Sequence, residues 1–226
     1  INENNTAVLV QTVTVYLGDK IYANPRKELN NISLSIIAFR SIDGGFTWTY
    51  SSVVISASAV PESEEGPNEN DLVLIDGGKT ILCVARVDGG DGILTHRYAP
   101  YVATFSYDGG RSWLKPVQLA GIGSVRPRLL SFGSTIILSG GRLSPENRDI
   151  FLWVNANGDG IDWTGIESVS YWHNKLRKKS MHKFPPSINH SSIAPSEVGC
   201  TSYTSLLRTD GNAGFVTYAI ISNGIG

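Results

Sequence analysis

Glu69 and Arg86, 17 positions apart, form the pair of residues in this sequence best suited to chemistry. Glu69 stands just ahead of one apolar run, and Arg86 ends the next. An antiparallel pair of strands would bring both residues to the same end of a sheet, where they could face one cleft. A carboxylate can accept a proton, and a guanidinium can hold an anionic group in charge-assisted hydrogen bonds. The alternative is a solvated salt bridge at the rim of the sheet, which would contribute little to stability.

The elements that would position this pair are two strands and a tight turn. Residues 72–75 and 80–85 are apolar, and Asp76-Gly77-Gly78 lies between them. Two glycines in a row accept the positive φ angles that hairpin turns require. The stretch therefore predicts a β-hairpin with Glu69 and Arg86 at its open end.

A short motif occurs twice and gives the chain its period. Residues 41–48 and 106–113 both read Ser-x-Asp-Gly-Gly-x-(Ser/Thr)-Trp, and residues 155–163 form a third, less regular copy. The Asp can bond main-chain N–H groups two residues on, Gly supplies positive φ, and the Trp ring can fold back under the turn. We call each copy a clasp and assign it a structural role, so Asp43 and Asp108 are not candidate catalytic acids.

Strands and clasps that repeat at intervals of tens of residues are typical of a propeller or a solenoid. Each interval has room for one four-stranded blade, with an insertion in the first. Residues 6–17, 32–39 and 53–60 are rich in β-branched and apolar residues and predict strands. The fold class predicted is therefore all-β.

The clasp resembles the Asp-box, also called the bacterial neuraminidase repeat, of the sialidase superfamily. The hairpin that carries Glu69 and Arg86 upstream of a clasp resembles the segment in which sialidases carry their catalytic Glu and the second arginine of a substrate-binding triad. The likeness covers roughly residues 34–220 and is nearest to bacterial-type Asp-box proteins with an RPRLL…SGGR blade. It implies one domain over residues 1–226, a sialidase-like six-bladed β-propeller that is incomplete in this chain, with about four blades and without the N-terminal blade or blades.

The resemblance also implies a catalytic pair. Sialidases use a tyrosine nucleophile that opens a hairpin, and Tyr203 matches it. Glu69 would accept the phenol proton, because a free tyrosine, with a pKa of about 10, needs a base. Arg86 would bind the substrate carboxylate, which would repel an anionic carboxylate nucleophile but not a neutral phenol. The family Tyr-Glu pair on the returning strand is replaced here by Tyr218-Ala219.

Three further positions complete the implied site. Arg148 and Arg142 are alternatives for the third arginine of the triad, with Arg148 preferred, and an outward-facing surface arginine is the other interpretation of each. Sialidases place an Asp general acid in the loop before the first clasp, where this chain offers Asp19 and Glu28. Glu28 is the candidate general acid, against the alternative of a solvated loop carboxylate. The stretch that bears the first family arginine is absent from this chain.

Composition narrows the function classes. Basic and acidic residues number 19 and 20, so no charge excess suggests a nucleic-acid partner. No apolar run approaches the length of a transmembrane helix, the first residues do not resemble a signal peptide, and the histidines lack metal-ligand spacing. We expect no metal, no cofactor and no membrane span. The compartment stays open, and a secreted or cell-surface location is compatible with the sequence.

Three hypotheses follow. The first is a retaining exo-α-sialidase-like glycoside hydrolase that removes a terminal sialic acid, or a related carboxylated sugar, from sialylated glycans. The second is a non-catalytic Asp-box propeller that binds glycan or protein. The third is a structural propeller that uses only the clasps. Convergence of Glu69, Arg86, Tyr203 and an arginine at 142 or 148 in one cleft separates the first from the others.

Overall fold

The structure is a computed structural model of the 226-residue chain. It describes residues 2–3, 6–17, 33–63, 65–87, 99–141, 150–166, 200–209 and 214–221. Apart from 3-10 turns at Ala57–Ala59 and Asp76–Gly78, every regular element in these ranges is a β-strand. The expectation of an all-β fold is confirmed, and within the same ranges no helix is long and apolar enough to cross a membrane.

The strands form a series of antiparallel sheets, each built from consecutive strands. A short ribbon and a first sheet come from the N-terminal part. The ribbon pairs β1 (Asn2–Glu3) with β2 (Thr6–Ala7), and the sheet has the order β3 (Leu9–Tyr16), β4 (Leu34–Ser41), β5 (Thr49–Ile55). The strand expected over residues 53–60 is thus wrong in its bounds, because a 3-10 turn follows Ile55.

The second and third sheets have four strands each, and the fourth has two. The second sheet consists of β6 (Pro67–Ile75), β7 (Thr80–Val87), β8 (Val102–Ser106) and β9 (Val117–Gln118). The third consists of β10 (Val125–Phe132), β11 (Thr135–Gly141), β12 (Ile150–Asn155) and β13 (Thr164–Ile166), and the fourth of β14 (Cys200–Arg208) and β15 (Gly214–Ile221). The predicted hairpin is β6 and β7, and both of its glycines have positive φ.

All three clasps share one hydrogen-bonding scheme. Ser41 and Ser106 each end a strand, and their hydroxyls accept the N–H of the second glycine, Gly45 or Gly110, at 2.8 Å. In the third copy the Asn155 amide oxygen accepts the Gly160 N–H at 3.0 Å, so an amide does the work of the hydroxyl. This equivalence explains why the third copy forms the same turn although its sequence departs from the motif.

The clasp aspartates reach further than the sequence predicts. The Asp43 carboxylate accepts the N–H and the hydroxyl of Thr47, at 2.9 and 2.5 Å, four residues on rather than two. Asp108 accepts the N–H groups of Arg111 and Ser112, at 3.0 and 2.9 Å. The carboxylate therefore closes the whole loop, and its structural role is consistent with these bonds.

The clasps also show how the sheets correspond. Each clasp lies between the last two strands of its sheet, so β3, β4 and β5 match the second, third and fourth strands of the later sheets. Among the described residues no strand occupies the first position, beside β3. The second clasp contacts the preceding sheet, because the Ser51 and Ser52 hydroxyls donate to the Gly110 carbonyl at 2.9 and 2.7 Å.

The core lies between neighbouring sheets. One buried cluster joins the second sheet to the third, around Leu82, Tyr101 and Leu138, and another joins the first sheet to the second, around Ile36, Val54 and Cys83. Every residue of β7 is buried, because this strand has a sheet on each side. Arg86 is the one charged residue in that strand.

A close approach fixes the start of β6. Gly66 has a φ of +76°, and a Cβ at this position would lie 2.2 Å from the Leu34 carbonyl oxygen at the start of β4. The Leu34 N–H donates to the Glu65 carbonyl at 2.7 Å. Only glycine allows the chain to enter the second sheet this close to the first.

Candidate functional site

Glu69 and Arg86 form an ion pair at the open end of the β6–β7 hairpin. Arg86 Nη1 lies 2.9 Å from Glu69 Oε2, and 6% of the Arg86 side chain and 22% of the Glu69 side chain are exposed. The hairpin brings the two residues together as the sequence predicts. The interpretation as a solvated rim salt bridge is wrong, because the guanidinium is buried.

The same carboxylate oxygen receives a second donor, from the third sheet. The main-chain N–H of Arg126 donates to Glu69 Oε2 at 2.9 Å. Glu69 Oε1 has no hydrogen-bond partner in the part of the chain that the structure describes. One carboxylate oxygen of Glu69 is thus anchored from two sides, by its own sheet and by the next.

Strand alternation explains why β6 connects two neighbours. Asn70 faces the first sheet, where the Thr12 hydroxyl donates to its side-chain oxygen at 2.5 Å, and the Thr14 hydroxyl of the same sheet donates to the main-chain carbonyl of Asn68 at 2.8 Å. Glu69 lies between them in sequence and contacts the third sheet instead. Side chains one apart on a strand point to opposite faces, so the Asn70 amide and the Glu69 carboxylate contact different sheets.

A second carboxylate, Asp71, lies on the Glu69 face of β6. Its Oδ2 accepts the Leu129 N–H at 2.9 Å and lies 3.8 Å from Arg128 Nη1. Removal from water raises the pKa of Asp71 above its usual value, although the N–H groups of Leu129 and Leu72 and the nearby arginines oppose the shift. Sequence reasoning missed this residue, and the signal that could have found it is its position two residues after Glu69.

Tyr101 is a second residue that the sequence did not single out. Its side chain is fully buried, its hydroxyl donates to the Val125 carbonyl at 3.2 Å, and its phenol is within electrostatic range of Arg86 and Glu69. Burial raises the pKa of Tyr101, and a hydrogen bond with Ser124 and the charge of Arg86 offset only part of this effect. A phenol without solvent access and with its proton committed to a carbonyl supports the site and is not a candidate nucleophile.

Tyr203 lies in β14, the first strand of the fourth sheet, and its side chain is outside the described residues. Its neighbour Thr204 is tied to the third sheet, since the hydroxyls of Ser139 and Thr204 are 2.7 Å apart and buried. Ser139 is two residues from the end of β11, and that end pairs with Val125, next to Arg126. The main chain at Tyr203 is therefore connected through the third sheet to the end of β6 that carries Glu69.

A β-bulge recurs at one position in the first strand of three sheets. In β6 the register shifts between Pro67 and Asn70, in β10 between Val125 and Arg128, and in β14 between Thr201 and Thr204. Each time three steps on the first strand face two on its partner, so one extra residue is inserted.

Counted from the start of each bulge, Glu69 and Tyr203 hold the same place, and Pro127 holds it in β10. Bulges re-aim side chains and are frequent beside active sites. Residue types alone do not indicate the bulges, because a bulge is defined by pairing with a second strand. The bulges place Glu69 and Tyr203 at equivalent positions in two sheets that share the same bulged first strand.

The remaining predicted site residues, Glu28, Arg142 and Arg148, lie outside the described residues. Arg142 directly follows Gly141, the last residue of β11, and Arg148 comes two residues before β12 begins at Ile150. Their assignments stay predictions. Among the residues that are described, no group of three or more His, Cys, Asp and Glu side chains could hold a metal ion.

Comparison with solved structures identifies the fold. A protein of unknown function from Dyadobacter fermentans superposes with a TM-score of 0.62 at 16% identity, over 99% of this chain and 49% of its own. A Trypanosoma rangeli sialidase in complex with sialic acid gives 0.54 at 13% identity, over 96% of this chain and 28% of its own. The NanB sialidase of Streptococcus pneumoniae gives 0.52 at 17% identity, over 85% and 26%.

The fold is sialidase-like. The chain spans about half of the Dyadobacter protein and just over a quarter of each sialidase, so its sheets correspond to part of such a propeller. No protein-family model matches the sequence, and no curated protein matches it. At identities of 13–17%, the similarity supports the fold alone, and any activity must be argued from the residues of the site.

Proposed function

We propose that this chain belongs to a retaining exo-α-sialidase-like glycoside hydrolase that removes terminal sialic acid, or a related carboxylated sugar, from sialylated glycans. The observation that carries the proposal is the geometry of Glu69: Oε2 is held by Arg86 and by the Arg126 N–H, and Oε1, which has no partner among the described residues, would receive a proton. A fixed carboxylate with one free oxygen is what a general base for a phenol requires.

In this mechanism Tyr203 attacks the anomeric carbon while Glu69 accepts its proton. Their matching places in the bulges of β6 and β14, in the second and fourth sheets, support the pairing, because equivalent positions in the sheets of a propeller face a common centre. Arg86, with Arg148 or Arg142, would bind the sugar carboxylate, and Glu28 would protonate the leaving oxygen.

A second candidate is a propeller that binds glycan or protein without turnover. The burial of Arg86 favours it, because a guanidinium that is 6% exposed and already paired has little surface to offer a substrate carboxylate. The replacement of the family Tyr-Glu pair by Tyr218-Ala219 points the same way.

The test is release of a fluorogenic sialoside by the full-length protein, measured beside Tyr203→Phe and Glu69→Gln. Tyr107→Phe is the matched control, because Tyr107 is exposed and follows Ser106, which pairs with Ile81 at the turn end of the hairpin, away from Glu69. The hydrolase predicts turnover by the wild type and the control and a loss of about 100-fold or more in the other two. If Tyr203→Phe turned over the sialoside as fast as the wild type, Tyr203 would not be the nucleophile. Binding of sialyllactose without turnover by any form would establish the second candidate.

A further inference from the structure

We propose that Asp71 is a positioning residue for Glu69, which it controls indirectly through the main chain of β10. The catalytic consequence rests on the proposed function, and the structural coupling does not. Two carboxylates on one face of β6, two residues apart, accept two main-chain N–H groups of β10. Glu69 Oε2 accepts from Arg126 and Asp71 Oδ2 accepts from Leu129, both at 2.9 Å.

The two pairs of residues are spaced differently, and this difference is informative. The carboxylates are two residues apart on β6, whereas Arg126 and Leu129 are three apart on β10. In a regular strand, N–H groups three residues apart point to opposite edges, and a three-residue step exceeds a two-residue step by roughly 3.3 Å. A regular β10 could therefore satisfy only one of the two carboxylates.

The β10 bulge removes the mismatch. The register shift lies between Val125 and Arg128, and Arg126 within it has a φ of +36°, an unusual value for a residue other than glycine. The extra residue turns both N–H groups toward β6 and shortens the step between them. A strained backbone of this kind persists only where its surroundings hold it, and the two carboxylates are the contacts that do so from β6.

Asp71 holds β10 in place on the far side of the bulge. The Asp71 side chain is partly buried, with 26% exposed, and Arg128 Nη1 at 3.8 Å gives it a second contact with β10. Because its bond to Leu129 lies just beyond the bulge, it fixes where the strand resumes. The Arg126 N–H then has a fixed position opposite Glu69 Oε2, and Oε1 has a fixed direction.

The coupling is tested by amide hydrogen exchange, which does not depend on enzyme activity. We compare Asp71→Ala, Asp71→Asn and a control, Asp76→Ala, at the turn end of the same strand. Asp71→Ala should speed exchange at both Leu129 and Arg126 by about tenfold, because loss of the hydrogen bond to the Leu129 N–H frees the bulge. Asp71→Asn keeps an oxygen for the Leu129 N–H and should restore protection at both amides. Asp76→Ala should change neither.

Faster exchange at Leu129 with unchanged exchange at Arg126 would overturn the proposal, as would failure of Asp71→Asn to restore Arg126. If Asp71→Ala does not fold, Asp71→Ser takes its place, since its short side chain cannot span the gap to Leu129. Turnover of a fluorogenic sialoside adds a separate readout. A positioning role predicts that kcat falls about tenfold in Asp71→Ala with KM within about twofold, and that Asp71→Asn recovers. If Asp71→Ala speeds exchange at both amides but the protein shows no sialoside turnover, the positioning of Glu69 by Asp71 is supported and only the proposed function is refuted.

Discussion

Replacement of Gly66 by alanine gives a direct test of how the site is positioned. Gly66 comes just before β6, three residues ahead of Glu69, and crosses the Leu34 main chain at the start of β4. A Cβ at this position would lie 2.2 Å from the Leu34 carbonyl oxygen and 2.8 Å from its nitrogen. Both contacts are with main chain, so no side chain can rotate away to relieve them.

The magnitude follows from two costs. The Cβ must move from 2.2 Å to at least 3.0 Å from the Leu34 oxygen, which separates two strands that are otherwise in contact, and overpacking of this kind costs about 1–3 kcal/mol. The φ of +76° adds about 1 kcal/mol for any residue with a Cβ. We expect Gly66→Ala to lower the free energy of unfolding by about 3 kcal/mol, equivalent to roughly 6–12 °C in Tm for a chain of this size.

Gly77→Ala is the matched control. Gly77 also has positive φ, +61°, but a Cβ there meets nothing within 4 Å. Gly77→Ala should lower the free energy of unfolding only by the cost of placing a Cβ at positive φ, about 1 kcal/mol. Urea unfolding followed by tryptophan fluorescence measures both variants, and equal m values would show that the comparison is one of stability. If the two variants were equally stable, the reasoning about the Gly66–Leu34 approach would be refuted.

Two further predictions concern ionisable groups. Burial alone would raise the pKa of Asp108, but hydrogen bonds from Ser112, Ser106 and Arg111 lower it overall, so the carboxylate stabilises the fold fully above its ordinary value of 3.8 and loses that effect as the pH falls through its lower folded value. The stability advantage of the wild type over Asp108→Asn in urea titrations should therefore be constant near neutral pH and shrink below about pH 4, and an advantage that grows with acidity would contradict it. Burial, together with the charge of Asp71, raises the pKa of the Cys83 thiol, so iodoacetamide should label Cys83 in a Cys200→Ser background only as fast as the protein unfolds. Labelling of the folded protein at the rate of a free thiol would contradict the burial of Cys83.

Local signals in the sequence predicted much of the fold. The turn at Asp76-Gly77-Gly78 and the strands around it could be read from residue types, because hairpin turns demand particular backbone angles. The clasps could be read for the same reason, even where Asn155 replaces serine. The aspartates were assigned too short a reach, since the pattern shows the turn residues but not the depth of the loop that the carboxylate closes.

Contacts between sheets could not be read in the same way. The pairing of Glu69 with Arg86 follows from one hairpin, but the burial of Arg86 depends on a third sheet nearly 40 residues further along the chain. Asp71 and Tyr101 were missed because their roles arise from β10, whose register no local pattern specifies. The bulges were missed because an extra residue in one strand is visible only against its partner.

The shared place of Glu69, Pro127 and Tyr203 has a practical consequence for engineering. The same bulge position occurs in three sheets. Glu69 and Tyr203 occupy it with side chains that can exchange a proton, whereas Pro127, in the middle sheet, has a side chain that cannot. The backbone around Pro127 already bends as its neighbours do. Because Pro127 is buried, a histidine or glutamate introduced there would need a hydrogen-bond partner, but it would need no change of strand register.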